Sequence, residues 1–138
     1  MNITVRDGGN YLKGLLLLIR KDRKITDAEV HLVTRIGKTL GFERTFCENA
    51  IGEILENKYI VDEPPVFSTM ELAKKFIKDG LALASSDNEV HPSEEEWLWS
   101  TAEANGLEGS WFRQERANAA HRHPLPFSLE ADSLTVAY

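Results

Sequence analysis

Carboxylate side chains are concentrated in residues 85–96, which read SSDNEVHPSEEE. Hard divalent cations of the Ca²⁺ or Mg²⁺ class bind several carboxylate and carbonyl oxygens at once. No Lys or Arg lies within residues 79–112 to repel such an ion. The sequence therefore predicts a divalent-cation site here. Its candidate ligands are Asp87, Glu89, Glu94 and Glu95.

Helix capping explains part of the same pattern without any metal. An Asp in a turn accepts hydrogen bonds from nearby backbone, and a Glu in the first helical turn completes a capping box. An EF-hand is excluded, because the sixth position from Asp87 is Pro92 rather than Gly and the twelfth is Leu98 rather than Glu. His91, His121 and His123 do not have the spacing of zinc ligands. The cation site and the capping role both stay open.

An internal repeat relates the acidic stretch to an earlier part of the chain. Residues 11–42 align without a gap with residues 76–107, and six of the 32 positions are identical. Chance would give about two. The alignment predicts one domain over residues 1–120, built from two pseudo-repeated three-helix units at about 9–57 and 68–120.

The repeat supplies a second-choice cation site in the first unit. Asp22 aligns with Asp87, and Glu29 aligns with Glu94. In each unit the Asp ends one helix and the Glu begins the next, so a tight turn would bring the two carboxylates together. Arg23 follows Asp22 directly and would repel a cation, which favours the second unit.

Helix signals predict an all-α fold. Capping boxes are indicated by TDAE at 26–29 and STME at 68–71, and Pro92 suits the first turn of a helix. We predict six helices, at about 9–21, from 26–29 to about 40, 43–57, from 68–71 to about 85, from 92 to before 106, and 108–120. No strand is predicted. Residues 121–138 lack helical periodicity and are expected to be extended, docked or partly disordered.

Aromatic and sulfur side chains suggest where the core and a partner surface lie. Phe46, Trp97 and Trp111 are predicted to face inward, and Cys47 is predicted to be a small buried hydrophobe. Trp99 lies two positions from Trp97 and on a different face. It is either a surface anchor for a protein partner or a residue covered by the tail or another helix.

Charge and composition restrict the function. The net charge is −6, which argues against nucleic-acid binding and favours a cation or a basic protein partner. The apolar run LKGLLLLI is too short for a membrane span and comes too late for a signal peptide, so a cytoplasmic location is expected. The single cysteine excludes an internal disulfide. No nucleophile–base pair or phosphate loop is present, so no enzymatic activity is expected.

The two motifs DRKITDAE…KTLGF and DNEVHPSE…EANGL resemble the tellurite-resistance TerB family and the TerB-like domain of DjlA-type co-chaperones. The resemblance spans about residues 10–112. It implies an all-helical, internally repeated, acidic module linked to stress response, with Asp22, Glu29, Asp87 and Glu94 as the motif acids. The motif glycine is Arg23 in one unit and Asn88 in the other.

Two functions are therefore predicted. The first is a non-enzymatic TerB-like module that binds a divalent cation through the second acidic turn. The alternative is a protein-interaction module without metal, which uses an acidic face and Trp99. A homodimer is compatible with either prediction.

Overall fold

The computed structural model describes residues 1–22, 25–57, 59–85, 90–120 and 129–137. Six α-helices lie within these residues, which confirms the predicted all-α fold. They are α1 (Val5–Ile19), α2 (Asp27–Thr39), α3 (Arg44–Glu56), α4 (Met70–Ala84), α5 (Pro92–Ala104) and α6 (Gly109–Ala120). No helix in these ranges is long and apolar enough to cross a lipid bilayer.

The helices of the two halves share their boundaries at the spacing of the repeat. Helices α4 and α5 begin and end 65 residues after α1 and α2, and α6 begins 65 residues after α3. Gly41 and Gly106 follow α2 and α5 with φ angles of 92° and 75°, which favour glycine. These matched boundaries support two pseudo-repeated units, and that claim stays a prediction.

The helix starts depart from the predicted ones in the first helix of each half. Helix α1 begins at Val5, earlier than predicted, because the Thr4 hydroxyl accepts a hydrogen bond from the Asp7 N–H at 3.1 Å. The capping box predicted at 68–71 is wrong, since Thr69 is the N-cap, accepts from the Leu72 N–H and has Leu72 rather than a Glu at the third helical position. Ser68 instead donates from its backbone and its hydroxyl to the Asp7 carboxylate.

Helices α1 and α4 form the centre of the core. They contact each other, and each contacts the other two helices of its own half. The fully buried rings of Tyr11 and Phe76 meet edge-on, with centroids 5.3 Å apart. Gly14 lies at this crossing, and a Cβ there would come within 2.7 Å of the Phe76 ring. The close approach of α1 to α4 therefore requires a glycine.

The inward face of the third helix in each half is rotated by one residue from the prediction. Phe46 was predicted to face inward, but it is 53% exposed, and Cys47 is the buried residue. In the second half Phe112 is buried, while Trp111 is only half-buried. Cys47 packs against Gly37, whose missing side chain leaves room for the thiol. The buried role predicted for Cys47 agrees with its position.

The end of the chain folds back onto its beginning. Residues Glu130–Ser133 form a 3₁₀ helix, and β2 (Thr135–Ala137) pairs in parallel with β1 (Asn2–Thr4). The 3₁₀ helix contacts α2 and α4. No strand was predicted, because three-residue strands are too short to show an alternating pattern. Residues 129–137, called the C-terminal segment below, therefore close one side of the bundle.

Candidate functional site

The two motif glutamates form capping boxes at equivalent helix starts. Glu29 Oε1 accepts from the Thr26 N–H at 3.1 Å, and the Glu29 N–H donates to the Thr26 hydroxyl. Glu94 Oε1 accepts from the His91 N–H at 3.1 Å, while His91 Nδ1 accepts from the Ser93 N–H. Glu29 and Glu94 are only 2% and 1% exposed. Both glutamates therefore serve helix initiation.

The remaining candidate ligands are not assembled in the described residues. Glu95 pairs with Arg116, with 3.1 Å between Oε1 and Nε. Asp87 and Glu89 lie outside the described residues, and so does the side chain of Asp22. Within the described part of the chain, no three His, Cys, Asp or Glu side chains are grouped as a metal ion requires.

The start of α5 lies next to the 3₁₀ turn that follows α1. The Ser93 hydroxyl donates to the backbone carbonyl of Lys21 at 3.4 Å, which joins the start of α5 to the 3₁₀ turn Arg20–Asp22. Two basic side chains at that turn, Arg20 and Lys21, bind Asp62, which lies between α3 and α4. Burial alone would raise the pKa of Asp62, but the hydrogen bonds and charges of Lys21 and Arg20 outweigh it and lower that pKa.

A buried carboxylate that the sequence analysis did not single out anchors the C-terminal segment. Asp79 is 2% exposed and accepts from the Tyr11 hydroxyl at 2.6 Å. It also accepts from the N–H groups of Glu130 and Ala131, at 2.7 and 2.9 Å. Burial raises the pKa of Asp79 to about 6, although these hydrogen bonds act to lower it. Burial, followed by the charge and hydrogen bond of Asp79, also raises the pKa of Tyr11.

One sequence signal could have identified Asp79. It is an acid on the inward stripe of α4, within FIKDGLALA, and it aligns with Gly14 of α1. A carboxylate at such a position requires hydrogen-bond donors from elsewhere in the chain. Those donors come from Tyr11 and from the N-terminus of a 3₁₀ helix, which no helix signal in residues 121–138 predicted.

Trp99 occupies a groove between α5 and α6, called the α5–α6 groove. Its ring lies 5.4 Å from that of Phe112 at a tilted angle, and it is half-buried. An ideal Cβ on Gly109 would be 3.1 Å from the indole, so the glycine makes room for the ring. The remaining groove has a volume of about 360 Å³. Of the two predicted environments for Trp99, the structure shows partial cover by another helix.

A larger groove lies between α2 and α3 in the first half and is called the α2–α3 groove. Its volume is about 840 Å³. Its lining residues are Asp27, Val30, His31, Thr34, Arg35, Lys38, Phe42, Glu43, Arg44 and Glu48. Thr34, which aligns with Trp99, leaves the space between the helices open.

A third groove, of about 370 Å³, lies between α1 and α3 and is called the α1–α3 groove. Most of its lining is apolar, and includes Leu12, Leu16 and Ile54. The rings of Phe42 and Phe46 stack at this groove, with centroids 5.3 Å apart and planes within 15°. The first half thus has open grooves on both sides of α3.

Comparison with known proteins identifies no relative of the chain. No family model matches its sequence, and neither the curated proteins nor the solved structures contain a match.

Proposed function

We propose that the protein is a non-enzymatic, TerB-like helical module that binds a partner protein through the α1–α3 groove. The observation that carries this proposal is the exposed Phe46 beside an apolar groove. An exposed aromatic side chain next to an apolar depression is typical of a protein-binding site. The stress-linked role implied by the resemblance to the TerB family belongs to the same proposal.

The second half supports this assignment by contrast. Leu107 aligns with Phe42 and is buried, whereas Phe42 is half-buried. Trp111 aligns with Phe46, but the ammonium group of Lys74 lies 5.6 Å from the centre of its ring. The aromatic residue is therefore half-covered in the second half and open in the first.

The α3 side of the α1–α3 groove is acidic and favours a basic edge on the partner, while Lys13 lines the α1 side. Glu53 lines the groove, and Glu56 lies three residues further along α3. Within the described residues neither glutamate forms an ion pair. A partner helix with an apolar stripe over Phe46 and Lys or Arg along its edge would complement both features.

The environment of the single cysteine supports a non-enzymatic role. Cys47 is 1% exposed. Burial, with a smaller contribution from the charge of Glu48, raises its pKa, so the thiolate required for nucleophilic attack is disfavoured.

A designed peptide tests the proposal. The probe is a labelled amphipathic peptide with a leucine stripe and lysine flanks, and its binding is measured by fluorescence anisotropy. We expect Phe46→Glu to weaken binding by about tenfold or more, because it places a charge where the leucine stripe must pack. Met70→Glu is the matched control, because Met70 is also 53% exposed and Glu is tolerated in a first helical turn.

Comparison of the two variants distinguishes a specific site from nonspecific hydrophobic binding. Equal losses in the Phe46 and Met70 variants would contradict the proposal, and so would no loss in either. A peptide with glutamate in place of lysine should bind more weakly, because Glu53 and Glu56 would repel it. Equal binding of the two peptides would remove the basic-partner part of the proposal.

A divalent-cation site at the second acidic turn is the second candidate function. One observation favours it, namely the contact between Ser93 and the first acidic turn at Lys21. That contact brings the start of α5 against the 3₁₀ turn Arg20–Asp22. Since Glu94 caps α5 and Glu95 pairs with Arg116, the ion would depend chiefly on Asp87 and Glu89.

A further inference from the structure

The α2–α3 and α5–α6 grooves occupy equivalent places in the two halves. Six of the seven residues that line the α5–α6 groove align, at a spacing of 65, with residues that line the α2–α3 groove. The aligned pairs are Asp27 with Pro92, Val30 with Glu95, His31 with Glu96, Thr34 with Trp99, Arg44 with Gly109 and Glu48 with Arg113. The comparison therefore concerns the same part of the helical frame.

The two grooves differ in what fills them. In the α5–α6 groove the indole of Trp99 packs against Phe112 and over Gly109. In the α2–α3 groove the corresponding side chain is the small Thr34, and about 840 Å³ remains open, against about 360 Å³ in the α5–α6 groove. The second half thus shows that this arrangement of two helices accommodates an aromatic side chain between them.

The charges on the two second helices are opposite. The outer face of α2 carries His31, Arg35 and Lys38 along one stripe, and each of them lines the groove. Asp27 begins the same stripe, and Glu43 and Glu48 line the α3 side, where Glu48 pairs with Arg44. The corresponding face of α5 carries Glu96 and Glu103 on either side of Trp99. Arg35 pairs with Asp132 at 2.6 Å. A carboxylate of a bound segment would therefore be attracted to the Lys38 end of the groove, since Arg35 is already paired.

We propose that the α2–α3 groove receives an aromatic side chain from an acidic helix of a partner protein. The aromatic ring would take the place that Trp99 takes in the α5–α6 groove. Carboxylates one turn before and after the ring would face His31 and Lys38. This inference goes beyond the proposed function, because it concerns the opposite side of α3 and a partner segment of opposite charge.

An acidic helical peptide with a single tryptophan flanked by glutamates is the probe, and backbone amide NMR shifts of the labelled protein are the readout. We expect saturable shifts at residues of the α2–α3 groove. Thr34→Trp fills the groove from within and should weaken binding at least tenfold. Thr39→Trp is the matched control, because it adds the same side chain to an exposed position of α2 outside the groove and should leave affinity within about twofold.

A second variant keeps the inference testable if Thr34→Trp perturbs the fold. Lys38→Glu changes an exposed side chain and therefore leaves the fold intact. It should lower the affinity for the acidic peptide severalfold. No saturable shift in the native protein would overturn the inference, and so would undiminished binding to both variants. Shifts confined to Leu12, Phe46 and Ile54 would also overturn the inference, because they would show that the peptide binds in the α1–α3 groove instead. Failure here therefore leaves the lysine-peptide test of the proposed function untouched.

Discussion

The first helices of the two halves differ at one buried position, which is Gly14 in α1 and Asp79 in α4. Gly14 lets α1 approach Phe76 closely, since any side chain there would meet the ring. Asp79 instead binds Tyr11 and the start of the 3₁₀ helix Glu130–Ser133. The same place on the frame thus serves helix packing in one half and attachment of the C-terminal segment in the other.

The outer surfaces of the two halves differ in a related way. Trp99 occupies part of the α5–α6 groove, and Leu107 is buried where its counterpart Phe42 lies between two open grooves. Side chains of the second half therefore cover surface that the first half leaves accessible. We infer that the second half contributes more to stability and the first half more to binding.

The largest loss of stability is expected for Asp79→Ala. The change leaves the Tyr11 hydroxyl and the two N–H groups of Glu130 and Ala131 without their acceptor in a buried place. We expect the free energy of unfolding to fall by about 3–5 kcal/mol, measured by urea denaturation, because three buried donors lose their acceptor. Glu130→Ala is the control, because it removes only partly exposed pairs with Lys75 and Lys78 and should cost about 1 kcal/mol or less. Equal losses would contradict the anchoring role of Asp79.

The same carboxylate predicts a dependence of stability on pH. The pKa of Asp79 is about 6 in the folded protein, against an ordinary value of 3.8, so the folded state binds the proton more tightly. The free energy of unfolding should therefore fall as pH rises from about 4 to about 6, by up to about 3 kcal/mol, and this contribution should then level off. Urea denaturation across this range measures it.

Asp79→Asn provides the control for the pH prediction, because the amide does not titrate. The difference in stability between the native protein and this variant should shift with pH between about 4 and 6. Asp62 does not interfere, since its pKa is lowered and its stabilisation is lost only as pH falls below its ordinary value of 3.8. A difference that is constant over the whole range would contradict a raised pKa of Asp79.

A smaller loss is expected for Gly14→Ala in the first half. The new Cβ would lie 2.7 Å from the Phe76 ring and 3.0 Å from Pro65, so α1 must move from α4. We expect a net loss of about 1–3 kcal/mol in thermal or urea denaturation. Gly9→Ala lies in the same helix with no atom within 4 Å, so it should stabilise by about 0.5–1 kcal/mol. Similar effects of the two changes would argue against close packing at Gly14.

The all-α fold could be predicted because local signals determine most helix boundaries. Thr26 and Glu29 occupy the start of α2 at which the sequence pattern placed them, and α5 begins at Pro92 as predicted. The orientation of α3 could not be derived as reliably. Phe46 and Cys47 are adjacent in the chain and both apolar, so either could face inward. Cys47 does so because Gly37 lets its thiol pack closely against α2.

The candidate sites could be predicted from the sequence less well than the helices. The prediction grouped Glu94 and Glu95 by their proximity along the chain, but Glu94 faces the helix start and Glu95 faces Arg116 on α6. Conversely, Tyr11 and Asp79 are 68 residues apart and meet only through packing of α1 against α4. The size of each groove depends on the side-chain volume at positions such as Thr34 and Trp99. The effect of that volume can be judged only when the positions of the helices are known.

The smallest effect is expected from a divalent cation at the second acidic turn. An ion present at about ten times its dissociation constant stabilises the folded state by about 1.4 kcal/mol. We therefore expect Ca²⁺ or Mg²⁺ to raise the melting temperature by a few degrees, and calorimetric titration of the metal-free protein to show saturable binding. Asp87→Asn combined with Glu89→Gln should abolish both signals.

Asp22→Asn separates the two halves in the same experiment. If the second turn holds the ion alone, this variant keeps the native response, because Arg20 and Lys21 beside the first turn disfavour a cation there. If the contact between Ser93 and Lys21 joins the two turns into one site, Asp22→Asn weakens binding as well. An unchanged melting temperature of the native protein with either ion would contradict the cation site. Partner binding at the grooves would then be the remaining proposal.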